Sequence, residues 1–137
     1  MKSKPLVLLL AALTLVLCSC STLSYFEQEE YKSLEHQGVS LKHPADDYKP
    51  PNNAILAGAL NILPGFGNFY LALGHGSDGV HAVYGLVNLL LWPISVVWGV
   101  PEAAYDAIQL NKSDMIYHYR HSLEGKKALD ERNIQLE

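Results

Sequence analysis

Hydrophobic and polar positions along the chain fall into blocks with sharp edges. Pro5 to Leu17 is apolar apart from Thr14, and Lys2 and Lys4 precede it. Ser21 to Gln37 is polar, and Ser24 followed three positions later by Glu27 predicts a capping box at the start of a helix. Gly38 stands where a helix stops. Tyr31, Leu34 and Leu23 form only a weak apolar stripe, so this helix is read as a solvated spacer. Val39 to Asn53 carries Pro44, Pro50 and Pro51, which lack a backbone donor, and Asp46, Asp47, Asn52 and Asn53, which favour turns. It reads as a linker.

From Pro50 to Pro101 the one charged residue is Asp78. Two apolar segments, 54–73 and 80–100, flank the Gly-rich stretch 74–79. Each has about the length that crosses a hydrocarbon core of roughly 30 Å at about 1.5 Å per residue. Pro64 interrupts the first, because proline removes an intrahelical bond and pushes Leu63 toward extended geometry. The expectation is helix over 54–63, a break at 64–67 and helix again over 68–73. In the second, His81, Gly85, Asn88, Trp92, Ser95 and Gly99 recur at alternating spacings of four and three, which places them on one helical face. The other positions are mostly Val, Leu and Ile. Ala54, Gly58 and Asn61 form a shorter matching stripe. Small and hydrogen-bonding residues on one face with aliphatics elsewhere is the pattern of helix packing in a bilayer, and it predicts that Asn61 and Asn88 meet across the hairpin. The candidate packing residues are Gly58, Asn61, Gly65, Gly67, Gly85, Asn88, Ser95 and Gly99.

Beyond Pro101 the chain becomes amphipathic. Pro101 and Glu102 suit a helix's first turn, which predicts one helix from 102 to about 111 and another from Ser113 to about 123. The charged end from Glu124 to Glu137 is read as a frayed polar tail. The whole is therefore expected to be all-α: a short N-terminal helix, an apolar helical hairpin and amphipathic C-terminal helices. In domain terms that is 1–19 signal, 20–53 helix and linker, 54–101 hairpin, 102–123 helices and 124–137 tail.

The first block has the charged, apolar and small-residue layout of a secretory signal, too short to span a bilayer. Its ending, Leu17-Cys18-Ser19-Cys20, resembles the bacterial lipobox. The resemblance implies lipidation of Cys20, which becomes the mature N-terminus, and places the chain in a bacterial cell envelope, facing the periplasm or the exterior. Ser21 after the cysteine resembles outer-membrane cargo, whereas a two-span hairpin favours retention in the inner membrane. The stretch Pro64-Gly65-Phe66-Gly67-Asn68-Phe69-Tyr70-Leu71, with Gly74 and the tryptophans that follow, is similar to the two-transmembrane hairpin domain family over about residues 54–106. Gly65, Gly67, Phe69, Tyr70 and Gly74 match its pattern in order. Asn68 departs from it, standing where the family often has a basic or His residue, and Asp106 lies unusually far beyond Trp98. That resemblance implies a membrane hairpin and no catalytic activity.

Charge sharpens the picture. Removing residues 1–19 leaves 118 of the 137 residues, enough for one domain, with 8 basic against 14 acidic side chains. An excess of acid excludes nucleic acid, which needs clustered Lys and Arg. Two spans starting from an outside lipid would put the uncharged turn at 74–79 in the cytoplasm, against the positive-inside rule, so a re-entrant hairpin stays open beside them. His75, Asp78 and His81 on the turn lack a fourth metal ligand, and His118 and His121 beside Tyr117, Tyr119 and Arg120 suit an interfacial helix face. No nucleophile elbow or phosphate loop occurs. Gly74-x-Gly76-x-x-Gly79 matches a dinucleotide fingerprint without its strand-to-helix context. The expectation is a non-enzymatic, lipid-anchored structural or adaptor protein without metal or cofactor. Its partners are the bilayer and either another membrane protein or a second copy. The alternative is a soluble periplasmic helical binding module, tethered by lipid, with the hairpin as its core.

Overall fold

The computed structural model describes residues 22–74 and 79–136. Cys20 with the signal-like segment, and His75 and Asp78 on the turn, lie outside the described residues. The fold is all-α, with helices α1 (Tyr25–His36), α2 (Ala54–Leu60), α3 (Phe66–Leu73), α4 (Val80–Leu90), α5 (Val96–His121) and α6 (Leu123–Glu131). Helix α5 is shared by two halves. Its first part closes a four-helix bundle with α2, α3 and α4; its second part carries a cap made of α1, α6 and the 39–48 strap.

The cap is held by an ordinary apolar core of Tyr31, Leu34, Val39, Met115, Ile116, Tyr119, Leu129 and Ile134. The Ser24–Glu27 capping box forms in full, and Gly38 takes positive φ after the helix end. Three expectations change here. Helix α1 is not a solvated spacer: Tyr31 and Leu34 are buried, and Ser113 Oγ donates to Glu27 Oε1 at 2.5 Å. The 39–48 segment is not a free linker. Val39 is fully buried, and the Ala45 amide donates to Tyr119 Oη at 2.7 Å. The chain from Glu124 is not frayed. Ser122 caps α6, and Ala128, Leu129 and Ile134 reach the core.

Helix α5 also corrects the reading of two helices after Pro101. It is continuous for 26 residues and carries Pro101 inside it. Pro101 lies one turn into the helix, where the amide it lacks is one of the first that would find an intrahelical carbonyl. Ser113 is spent on Glu27 rather than on a second cap.

In the bundle both long apolar segments are interrupted: the first folds into the two short helices α2 and α3, the second into α4 and the beginning of α5. The first breaks at 61–65, earlier than expected, because Asn61 takes the C-cap of α2. The second breaks at 91–95 before Val96. Among the described residues no helix is long and apolar enough to cross a membrane, so the two uninterrupted spans that segment length allowed are not present.

Side-chain contacts fix the direction of each helix. Tyr70 near the end of α3 accepts from the Asn53 amide at the start of α2 (3.0 Å), so α2 and α3 are antiparallel. Asn88 in α4 reaches Asn68 in α3 at 2.9 Å. Gly99 and Ala104 of α5 lie against Asn61 and Gly58 of α2 respectively. The bundle therefore runs up, down, up, down. Both breaks, 61–65 and 91–95, lie at one end, called here the tip. The end of α3 at Leu73 and the start of α4 at Val80 lie at the opposite end, the base, with Asn52 and Asn111.

Candidate functional site

The bundle is built with its polarity inverted. Asn61, Asn68, His81, Asn88, Ser95 and Asp106 are buried in it, and Asn68 and Asp106 have no exposed surface at all. Its large aliphatics face outward: Ile55 is 84% exposed, Leu73 90%, Leu90 82% and Val97 81%. Ile62, Leu63, Phe66, Trp92 and Ile94 complete an apolar tip. Compact soluble domains bury such side chains, because each removed from water contributes about 1.5–3 kcal/mol. The cap core follows that rule, whereas in the bundle the fully buried apolar cluster is small, Ala57, Ala103 and Ala107 with one large side chain, Leu71, and it sits beside the buried polar groups.

Polar contacts hold the interior. Asn61 serves two helices at once. Its Nδ2 donates to the Gly99 carbonyl of α5 (2.5 Å), and its Oδ1 accepts from the Gly67 amide (3.0 Å). Gly67 is the second residue of α3, whose N-cap Gly65 has no side chain to offer. Asn61 thus supplies the capping oxygen from the preceding helix. Asn88 Nδ2 donates to Asn68 Oδ1, its Oδ1 accepts from Trp98 Nε1 (3.0 Å), and its carbonyl accepts from Ser95 Oγ (2.6 Å). At the base, the Asn52 amide donates to Asn111 Oδ1 (2.9 Å), and Asn111 Nδ2 returns to the Asn52 carbonyl (2.7 Å). His81 Nδ1 and Asp106 Oδ2 lie 3.6 Å apart, both buried.

Glycines let these helices approach. Gly65 has φ +82°, and a Cβ there would enter the carbonyl of Gly85. A Cβ on Gly67 would enter the Ala57 carbonyl, and one on Gly99 would lie 2.6 Å from Asn61 Nδ2 and 3.3 Å from Asn88 Nδ2.

The structure therefore buries Gly58, Asn61, Gly65, Gly67, Gly85, Asn88, Ser95 and Gly99 between helices, and His81 with them. Ala54 is half-buried. Trp92 leaves the stripe and is 60% exposed, because the helix ends before it and the spacing no longer describes a face. Asn61 and Asn88 do not bond each other. They flank Gly99 from two sides, and Asn88 pairs with Asn68 instead. Asn68, Trp98, Asn52 and Asn111 were missed. Asn68 was detectable, since it follows Asn61 by seven positions in an otherwise apolar stretch. The Asn52–Asn111 pair joins residues 59 positions apart and leaves no local signal.

A second polar cluster ties the cap together. His118 Nε2 lies 2.7 Å from Asp46 Oδ2, Tyr119 Oη donates to Asp46 Oδ1 (3.0 Å), and His118 Nδ1 lies 3.2 Å from Ser122 Oγ. Burial alone would raise the Asp46 pKa, but the bonds from His118, Tyr119 and the Tyr48 amide reverse this and hold it below the usual carboxylate value. Burial and the adjoining carboxylate push Tyr119 up to about 12. Asp, His and Ser in series resemble a hydrolytic relay, yet Ser122 Oγ already accepts from the Gly125 amide at 2.8 Å as the α6 cap. The relay instead clamps the 39–48 strap to α5 and α6. His121 stacks on Tyr117, away from His118's partners. Among the described residues no group of three or more His, Cys, Asp or Glu is placed to hold a metal.

Comparison of the chain with known protein families, with characterised proteins and with solved structures returns no match.

Proposed function

We propose that this chain is a small lipid-anchored protein of the bacterial cell envelope, non-enzymatic, with a structural or adaptor role. It is held to the membrane by lipid on Cys20 and by the hairpin bundle, and it presents the cap at the membrane surface. The observation that carries this reading is the inverted bundle. Nonpolar side chains on the outside and asparagines on the inside suit a helix assembly solvated by acyl chains. There, hydrogen bonds and close glycine contacts drive association and burial of aliphatics does not. The lipobox-like Leu17–Cys20 supports the same address from the other end of the chain. One acyl chain anchors a protein only marginally, and a second attachment makes it stable. The same exposure disfavours the alternative of a soluble tethered module with the hairpin as its core, since the hairpin's aliphatics would then face water.

Alkaline carbonate extraction of Cys20→Ala protein tests the reading. The bundle alone should keep most of the variant in the membrane pellet. Complete release into the supernatant, with the cap still folded, would refute the proposal.

A further inference from the structure

We infer that the bundle enters one leaflet of the bilayer only, tip first, so that the α3–α4 connection stays on the same side as the cap. This deepens the reading above and rests on it.

Three observations converge. The first is topology: both breaks lie at the tip, and Leu73 and Val80, which the α3–α4 connection joins, lie at the base end, where Gly74 sits against Asn52. A two-span hairpin would place that connection across the membrane from the chain's other ends. The second is depth. Helices α2, α3 and α4 have 7, 8 and 11 residues, which at about 1.5 Å each gives roughly 10–16 Å. One leaflet contributes about half of a roughly 30 Å hydrocarbon core. The third is chemistry. The tip exposes Ile62, Leu63, Phe66, Leu90, Trp92 and Ile94 and carries no charge. Non-helical backbone at membrane depth survives only where protein satisfies its polar groups. At the breaks this is met: Asn61 Oδ1 accepts from the Gly67 amide and Ser95 Oγ donates to the Asn88 carbonyl.

The base lies within chain reach of a lipid on Cys20. Ser24 begins α1, and Glu27 one turn later holds Ser113, two residues past base residue Asn111. Cys20 is four residues from Ser24, a reach of at most about 14 Å. Acyl chains on Cys20 and the bundle can therefore enter the same leaflet from the same surface. The occupant of the apolar surface is thus the acyl-chain layer of that leaflet.

The test uses the full lipidated chain. Ser77→Cys on the α3–α4 connection and Lys112→Cys beside the base are exposed to a membrane-impermeant maleimide on intact cells. In parallel, Trp92 fluorescence is read in Trp98→Phe protein in vesicles of phosphatidylethanolamine and phosphatidylglycerol, with nitroxide labels near the headgroup or near the chain ends. Leu90→Cys, which leaves both tryptophans in place, provides an independent depth reading through an attached fluorophore. The expected result is that Ser77→Cys and Lys112→Cys react from the same side, and that the chain-end label quenches the tip several-fold more than the headgroup label. Reaction of Ser77→Cys only after permeabilisation would overturn the single-leaflet inference while leaving membrane anchorage standing. A tip quenched by neither lipid label in membrane-bound protein would also overturn it, showing the tip covered by protein. Release of Cys20→Ala protein by carbonate would instead remove the underlying reading.

Discussion

Asn61 offers the sharpest test of the inverted bundle. Replacing it with alanine removes the Nδ2 bond to the Gly99 carbonyl and leaves the Gly67 amide without its acceptor. A lost intramolecular hydrogen bond costs about 0.5–1.5 kcal/mol, and a buried donor left unmade costs about 1–3 kcal/mol. Gly99 lies within α5, so its carbonyl keeps a helical partner and adds little. Asn61→Ala should therefore lose about 2–4 kcal/mol. For a chain of this size that is a melting point lower by roughly 8–32 °C, at about 4–8 °C per kcal/mol. The assay is thermal and chemical unfolding in detergent micelles, followed by circular dichroism. Leu90→Ala is the matched control: Leu90 is 82% exposed, and its truncation should stay within about 0.5 kcal/mol. In a soluble core the ranking would be the reverse, with the leucine costing about 2–5 kcal/mol. An Asn61→Ala loss below about 0.5 kcal/mol, or a Leu90→Ala loss as large as that of Asn61→Ala, would refute the inverted packing.

The other predictions address the tip, the glycine contact and the cap. Ile94→Asp puts a charge at the apolar tip, at a cost of about 2.5–3.5 kcal/mol in mid-bilayer; vesicle flotation should show membrane binding reduced about a hundredfold, with the helical content in micelles unchanged. Gly65→Ala adds a Cβ at positive φ that enters the Gly85 carbonyl; backbone strain of about 1–3 kcal/mol adds to that clash, read as a lowered unfolding midpoint. Asp46 has a folded pKa below its unfolded value of about 3.9. Its contribution is therefore full above about pH 5 and is lost as pH falls through the folded pKa. Urea midpoints measured at falling pH should show that loss, and Asp46→Asn should flatten it.

How far the fold was readable follows from the range of the interactions. The α1 capping box is legible because its donor and acceptor are three residues apart, and the burial of His81, Gly85 and Asn88 because one helical period repeats through α4. Packing of α1, the 39–48 strap and α6 into one cap was not legible. Each presents only a few apolar residues, and for α1 and the strap their meaning comes from α5, some 70 to 90 positions away. The contacts of Ala45 and Asp46 with Tyr119 and of Glu30 with Arg120 are of this kind. Helix α5 was misdivided because Pro101 and Ser113 carry strong local signals for helix starts, and tertiary packing overrode both. The bundle's breaks were half visible: Pro64 marks the first, but the true boundary is Asn61, whose side chain is needed as an acceptor by a helix not yet begun.

Asparagine is an odd choice for the centre of a domain that could bury leucine. In water, exchanging a hydrogen-bonded asparagine for leucine gains transfer energy and often costs little. Among acyl chains leucine gains nothing by leaving lipid for protein, so an all-aliphatic bundle would have no reason to associate. Asn61, Asn68 and Asn88 provide that reason: each helix of the bundle either carries one of them or accepts a bond from one. They also give register, since Asn61 Nδ2 and Oδ1 meet their two partners only when Gly99 and Gly67 are in place together. The glycines bring the backbones close enough for short side chains to reach. Asparagine and glycine therefore act as one device, and under the proposed membrane reading it is what drives association among acyl chains. Transferring the tip's seven outward residues, Ile62, Leu63, Phe66, Leu90, Trp92, Ile94 and Val97, from water to lipid is worth on the order of 10 kcal/mol even at half exposure. That attachment is independent of the lipid, so removing the lipid should weaken anchorage without ending it.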